Sequence, residues 1–303
     1  MWVRRLLNYI EQYRYRSLAL LFLWSFIPII GVFGIVIAAL ITLIKGALEG
    51  ALFTIVTTIP LLIIFWWKVD YYAVVPLVWW MGIGAAIVSN ILTWVLAVML
   101  GRHTNWSNMI QIAALLGVLV ISVVHLAYPD VANWWGNQMQ SLYSQQPSKG
   151  APTEAQADTI SITKYYASGM MVSGILFSAF MQLIAARWLQ SLVYSPRMLR
   201  RELHALRLSH LAGLLFMASI FFWYYGNSVV LDIMPVLYLL FSMVGLSIIH
   251  YFFSVFSLPN TWFWLTFTYI VMIMALPISV MALSSIALFD VWLDLRRRVK
   301  KIN

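Results

Sequence analysis

Two acidic residues near the C-terminus have the type and spacing that could do chemistry. Asp290 and Asp294 stand four residues apart in LFDVWLDLRRR, so a helix places both on one face, with Arg297 and Arg298 one turn beyond Asp294. Either the charges form a structural cluster that fixes the last helix at an interface, or a carboxylate contacts an ion or a substrate. We expect a structural role for Asp294 and leave both roles open for Asp290.

Four further polar side chains lie within or at the edge of long apolar stretches, where burying them is costly. These candidates are Asn90, Gln182, Arg187 and His250. Each could line a polar cavity, or could form a hydrogen bond across a pair of helices. The sequence leaves both roles open.

Motifs of known chemistry are absent from the sequence. It contains no G-x-x-x-x-G-K-[ST], no H-E-x-x-H, no G-x-S-x-G and no G-x-G-x-x-G. Cysteine is absent as well, which removes thiol chemistry, and the five histidines are too scattered to predict a metal site. We therefore predict no catalytic residue, no cofactor, no metal and no enzymatic activity, and an ATP-driven pump would need its nucleotide site on another chain.

Composition indicates that lipid solvates much of this chain. Of its 303 residues, 63% are hydrophobic and only 10% are charged, whereas soluble domains have about 25% charged residues. The net charge of +9 comes from basic residues beside apolar tracts, where they set topology and meet anionic lipid head groups. We accordingly predict the lipid bilayer and its anionic head groups as partners, and no nucleic acid.

The apolar tracts favour a helical membrane protein with broken segments. Eight tracts give eight crossings, but Pro28 and Pro277 each remove a backbone donor within a tract, so breaks there give ten. With a cytoplasmic N-terminus, the eight-crossing arrangement leaves 7 of 19 basic residues outside and the ten-segment arrangement leaves 3, which the positive-inside rule favours. We predict an all-α, polytopic transmembrane helical bundle of 8–10 membrane segments, with both termini cytoplasmic.

A polar stretch divides the sequence into two apolar halves. Residues 129–162 include the Pro-, Ser- and Gln-rich sequence SQQPSKGAPTEAQAD, which predicts a flexible loop on the outer side. The predicted organisation begins with an N-terminal interfacial segment (1–16) and a front transmembrane half (17–128). The polar extracytoplasmic loop (129–162) follows, then a back transmembrane half (163–295) that contains a basic cytoplasmic segment (187–207), and finally a basic cytoplasmic tail (296–303).

Small residues predict where helices approach closely. One ridge recurs every four residues and comprises Ala85, Ser89, Thr93, Ala97 and Gly101. Gly46 and Gly50 form a shorter G-x-x-x-G pair. Small side chains let membrane helices pack closely, so we expect these positions to face other helices.

Several motifs together resemble a known family. The C-terminal ALFDVWLDLRRR, the central RWLQSLVYSPRMLRRELHALRL, the early LITLIKGALEG and LGRHTNW are similar to the YybS-like family of bacterial membrane proteins. The resemblance implies a bacterial inner-membrane location. It also implies a distant similarity to the substrate-binding subunits of energy-coupling-factor transporters, which dock to a separate membrane coupling protein. The first tract lacks the A-x-x-x-A pair of those subunits, so no binding residue is carried across.

Two functions follow as alternatives. The first is a small-molecule binding or uptake subunit without its own ATPase, which predicts a pocket opening toward the outer face, lined by aromatic and a few polar groups. The second is a non-transporting membrane scaffold that recruits partners through the basic segment 187–211 and the basic termini, which predicts tightly packed helices without a cavity.

Overall fold

The structure is a computed structural model, and it describes residues 2–71, 77–102, 104–144, 153–256 and 260–302. These residues form α-helices joined by short connections, together with one 3-10 helix, η1 (Lys164–Tyr166). The α-helices are α1 (Trp2–Gln12), α2 (Arg14–Trp24), α3 (Pro28–Lys45), α4 (Ala47–Tyr71), α5 (Leu77–Gly101), α6 (Trp106–Ala127), α7 (Val131–Ser144), α8 (Glu154–Thr163), α9 (Ala167–Tyr194), α10 (Met198–His204), α11 (His210–Tyr224), α12 (Ser228–Val255), α13 (Thr261–Met274), α14 (Leu276–Leu293) and α15 (Leu295–Ile302).

The fold is all-α and membrane-spanning, as predicted. Within the described residues there is no strand, and six helical stretches are long and apolar enough to cross a membrane. They are Ala47–Trp67, Trp80–Gly101, Trp106–Ala127, Glu154–Tyr194, Ser228–Val255 and Leu276–Leu293. Shorter apolar helices cover Ile30–Lys45, His210–Tyr224 and Thr261–Met274. The protein is therefore a multi-pass integral membrane protein.

The described chain forms two compact units, and their boundary does not follow the predicted front and back halves. Unit 1 comprises residues 1–109 and 175–203, and unit 2 comprises 110–174 and 204–303. The boundaries fall inside α6, α9 and α10 rather than in the polar stretch after α6. This division depends on contacts between helices that are distant in the sequence, so it could not be predicted from the sequence.

In unit 1 the first apolar tract breaks where predicted. α2 ends at Trp24 and α3 begins at Pro28, which suits a first helical position because no N–H is needed there. At the start of α2, Arg14 forms a 2.9 Å ion pair with Glu49, in the first turn of α4. Because α4 begins directly after α3 ends, both ends of the α2–α3 hairpin lie at the same end of unit 1.

Close helix packing in unit 1 follows the small residues. Ser89, Thr93 and Ala97 of α5 are buried, and the Thr93 hydroxyl donates to Gln182 of α9, which confirms the middle of the predicted ridge, while Gly101 is exposed. A Cβ atom on Gly50 would come within 1.8 Å of the Thr42 hydroxyl. Glycine at this position therefore lets α3 and α4 approach each other.

In unit 2 the last apolar tract also breaks at a proline, as predicted. α13 ends at Met274 and α14 begins at Leu276, with Pro277 in its first turn. α14 packs along α12, where a Cβ atom on Gly245 would come within 2.2 Å of the Leu283 carbonyl oxygen. The missing side chain at Gly245 allows this approach.

Other predicted boundaries differ from the structure. The stretch 129–162, predicted as a polar loop, contains α7 and α8, and Gln156 forms a capping box with Thr153 that starts α8. Its central residues, 145–152, lie outside the described part of the chain. The predicted N-terminal segment ends inside α2, and the predicted basic tail is helical as α15.

Candidate functional site

A cavity of about 220 Å³ lies in unit 1 among α3, α4, α5 and α9. Its polar lining residues are Ser25, Thr57, Ser89, Asn90, Ser178 and Gln182. The remaining lining residues are glycine, alanine and aliphatic side chains. Two predicted candidates, Asn90 and Gln182, thus line one cavity. The described lining contains no aromatic side chain, in contrast to the aromatic lining that the uptake function predicts.

Hydrogen bonds between helices fix the two amide side chains. Asn90 Nδ2 donates to Thr58 Oγ1 at 3.1 Å, which joins α5 to α4. Gln182 Oε1 accepts from Thr93 Oγ1 at 2.6 Å, which joins α9 to α5. Both amide side chains therefore take part in helix–helix hydrogen bonds and also border the cavity, so the two predicted roles coincide.

Ser89 carries a hydroxyl whose hydrogen-bonding capacity is unused. The residue is 3% exposed, and its Oγ atom has no hydrogen-bond partner. A buried polar group without a partner loses its hydration without compensation, at a cost of about 1–3 kcal/mol. Since Ser89 also lines the cavity, a polar occupant could supply the missing partner.

The break between α2 and α3 forms one wall of the cavity. Ser25 lies in this break, is buried and lines the cavity, and its hydroxyl donates to Leu21 O at 2.7 Å. A Cβ atom on Gly34 would come within 3.1 Å of Ser25 Oγ and 3.0 Å of Thr57 Cγ2. The glycine therefore lets α3 pass close to both polar side chains.

The cavity lies deep within the helices that surround it. Thr57 lies ten residues after Ala47, where α4 begins, and Ser89 lies twelve residues before Gly101, where α5 ends. At 1.5 Å per residue, these side chains lie about 15 and about 18 Å from the helix ends beside Lys45 and Arg102. Both side chains therefore lie near the middle of helices that are long enough to span a bilayer hydrocarbon core of about 30 Å.

Two other hollows in unit 1 are larger but less suited to hold a solute. One, of about 340 Å³, lies at the α3–α4 junction and is lined largely by residues 42–47, with Lys45 and Arg102 beside it. The other, of about 470 Å³, has described lining residues that all belong to α4, among them Trp66 and Trp67. Among their described lining residues, neither hollow has a buried polar side chain without a hydrogen-bond partner.

Arg187 does not line the cavity. Its guanidinium makes two contacts with Glu202, Nε to Oε2 at 3.0 Å and Nη2 to Oε1 at 2.5 Å, and Trp106 Nε1 donates to the same carboxylate at 2.9 Å. This bidentate pair holds α10 against the end of α9. Glu202 was not predicted, although an acidic residue inside a basic segment is a natural partner for one of its arginines.

His250 and Asp294 also contribute contacts within unit 2. His250 Nε2 lies 2.5 Å from the Tyr269 hydroxyl, between α12 and α13. Asp294 ends α14 at a φ of 46°, and its carboxylate lies 2.8 Å from Arg207 and 3.0 Å from Arg297. The Asp294 carboxylate is therefore compensated by two arginines.

Asp290 is buried beside an arginine that was not singled out from the sequence. Its Oδ1 atom accepts from Leu295 N at 2.9 Å, and its Oδ2 atom lies 3.8 Å from Arg296 Nε. Arg296 is 4% exposed, and Nη1 donates to the His204 carbonyl oxygen while Nε and Nη2 have no hydrogen-bond partner. Burial lowers the pKa of Arg296 from its ordinary value, and the Asp290 charge opposes that shift.

The most deeply buried acidic residue of unit 2, Asp232, was also missed. It lies within α12, which begins at Ser228, and it is only 2% exposed. Its Oδ2 atom lies 3.0 Å from His125 Nε2, and its Oδ1 atom accepts from Gly169 N at 2.7 Å. An acidic residue inside an apolar tract is the pattern that could have identified it.

Among these arrangements, only the cavity combines space, polar lining and a buried hydroxyl without a partner. In the Arg187–Glu202 and His125–Asp232 pairs, each charged or polar group contacts its partner and joins two helices. Asn90 and Gln182 therefore belong to the candidate site, whereas Arg187, His250, Asp290 and Asp294 lie elsewhere. No family model, no curated protein and no solved structure matches this chain.

Proposed function

We propose that this chain is a solute-binding subunit of the bacterial inner membrane, which binds a small molecule in the cavity of unit 1 for uptake. The subunit has no ATPase motif of its own, so an energised uptake cycle would require a separate coupling protein in the membrane. The resemblance to the YybS-like family supports the same proposal.

The observation that carries the proposal is the Ser89 hydroxyl, which is buried, lines the cavity and has no hydrogen-bond partner. A helix interface that serves packing alone is better stabilised by an alanine at such a position, because a buried polar group without a partner destabilises it. A solute with its own polar groups would satisfy this hydroxyl. Binding near the middle of the membrane also suits a protein that passes its ligand from one side to the other.

The proposed orientation places both termini in the cytoplasm and residues 129–162 outside. The breaks at Pro28 and at Ala275 are those that the ten-segment arrangement requires, and this arrangement leaves 3 of 19 basic residues outside. Lys45 and Arg102 then lie at the cytoplasmic end of unit 1, beside the hollow of about 340 Å³. We assign this end to contact with anionic lipid head groups.

A cysteine introduced at the cavity tests the proposal, because the natural chain has none. Ala86 lines the cavity, and Val88, on the same helix, is 51% exposed on the outer surface of the protein. In lipid nanodiscs, we expect a small uncharged methanethiosulfonate reagent to modify the Ala86→Cys variant. Val88→Cys, whose thiol faces lipid, should react at least tenfold more slowly, because thiolate does not form in hydrocarbon.

Equal and negligible reaction at both positions would overturn the proposal, because solutes would then have no access to the cavity. The alternative function, a membrane scaffold, would gain support from that result. It has its own observation in favour, since α10 and its preceding turn expose Arg197, Arg200 and Arg201. A scaffold would use these arginines to recruit a partner at the cytoplasmic face.

A further inference from the structure

We infer that the cavity of unit 1 selects a compact, uncharged, hydroxyl-bearing solute of the polyol class. This inference rests on the proposed solute-binding function and specifies the ligand of the same site. Three features of the cavity lead to it: the charge of its walls, the hydrogen bonds that its walls already make, and its size.

The first feature is the absence of charge among the lining residues. Every polar group that lines the cavity is a hydroxyl or an amide, and Asp, Glu, Lys, Arg and His are all missing from the described lining. A charged ligand near the middle of a membrane needs an opposite charge, because desolvation there costs several kcal/mol without one. The walls provide no such partner, so the cavity disfavours carboxylates, phosphates and ammonium groups alike.

The second feature is the pattern of hydrogen bonds around the cavity. The Ser25 and Thr57 hydroxyl hydrogens are donated to the carbonyl oxygens of Leu21 and Phe53, at 2.7 and 2.8 Å. The oxygen atoms of these two hydroxyls keep lone pairs that a ligand donor can use. The free Ser89 hydroxyl can either donate or accept. A ligand that matches them carries hydroxyl groups, since each hydroxyl both donates and accepts.

The third feature is size. At about 220 Å³, the cavity lies below the range of roughly 300–1,000 Å³ that holds drug-sized ligands. Its apolar walls include Val32, Ile35 and Leu61, which suit a short carbon backbone. A polyol of a few carbons presents such a backbone together with several hydroxyls.

Protection of the Ala86→Cys variant from the uncharged thiol reagent tests the inference. Erythritol is the probe, and the matched competitors are threonate, which is anionic, and 2-aminobutane-1,3,4-triol, which is cationic. We expect erythritol to slow the modification at least threefold and the two charged analogues to leave it unchanged. A second variant, Ser89→Ala, should abolish this protection, whereas Ser285→Ala, an exposed serine of α14, should leave it intact.

The outcomes separate the two levels of the proposal. If Ala86→Cys fails to react at all, the solute-binding function itself is overturned. If it reacts but is protected by an anion or a cation, the polyol class is wrong while the site remains. If it reacts and no solute protects it, the cavity holds water only, and the inference fails. If Ser89→Ala lowers the melting temperature of the protein in detergent, misfolding explains the loss of protection, and the proposed contact between Ser89 and the solute is overturned.

Discussion

The imidazole of His125 and the carboxylate of Asp232 lie in direct contact, with Nε2 and Oδ2 3.0 Å apart and both residues buried in unit 2. The two residues lie on different helices, α6 and α12. The second carboxylate oxygen of Asp232 accepts from the backbone N–H of Gly169, on α9. One buried carboxylate therefore connects three helices of the unit.

The first prediction concerns the strength of this pair. Asp232→Asn should lower the stability of the protein in detergent by about 2–4 kcal/mol, because His125 loses its charged partner in a buried site. His125→Gln should be destabilising as well. In a double-mutant cycle the two losses should add to clearly more than the loss of the double variant. Simple additivity of the two effects would show that the contact contributes no coupling energy.

The second prediction concerns the close approach at Gly169. A Cβ atom there would come within 1.7 Å of the Asp232 carbonyl oxygen, and backbone cannot yield as a flexible side chain does. Gly169→Ala should therefore lower the melting temperature sharply, because the substitution costs about 3 kcal/mol of folding free energy. The measurement is thermal unfolding in detergent.

Gly174 provides the matched control on the same helix. A Cβ atom at this position meets nothing within 4 Å. Gly174→Ala should raise stability slightly or leave it unchanged, since alanine favours helix by up to about 1 kcal/mol. Equal effects of the two substitutions would contradict the close packing of α9 against α12.

These contacts explain why some features could be predicted from the sequence and others could not. The helix breaks were predictable because Pro28 and Pro277 lack the N–H that a continuous helix needs, which is a local property. The cavity was not predictable, because it depends on which way Asn90 and Gln182 face after α5 and α9 have packed. The burial of Asp232 was not predictable either, because it depends on contacts with His125 and Gly169, which lie 107 and 63 residues away in the sequence.

The third prediction concerns the bidentate pair between α9 and α10. Arg187→Lys keeps the charge but loses the paired contacts with Glu202, so it should lower stability by about 1–2 kcal/mol. The exposed Arg200→Lys on α10 is the control and should change stability by less than about 0.5 kcal/mol. Denaturant unfolding in detergent measures both. Equal effects would mean that Arg187 gains nothing from its bidentate geometry.

The last prediction separates the two acidic residues near the C-terminus. Asp290 is an acidic partner of Arg296, with Oδ2 3.8 Å from Nε, and the Arg296 guanidinium is buried, so Asp290→Asn should leave a buried cation poorly compensated. The expected loss is about 3 kcal/mol, measured as a lower melting temperature and reduced expression. Asp294→Asn removes a carboxylate whose partners Arg207 and Arg297 are 45% and 78% exposed, so it should cost at most about 1 kcal/mol.

The combination Asp290→Asn with Arg296→Met removes both buried charges and should recover much of the loss, because a methionine occupies similar space without needing a counter-charge. An Asp290→Asn variant that melts at the wild-type temperature would contradict the structural role of Asp290 and return it to the candidates for solute or ion contact.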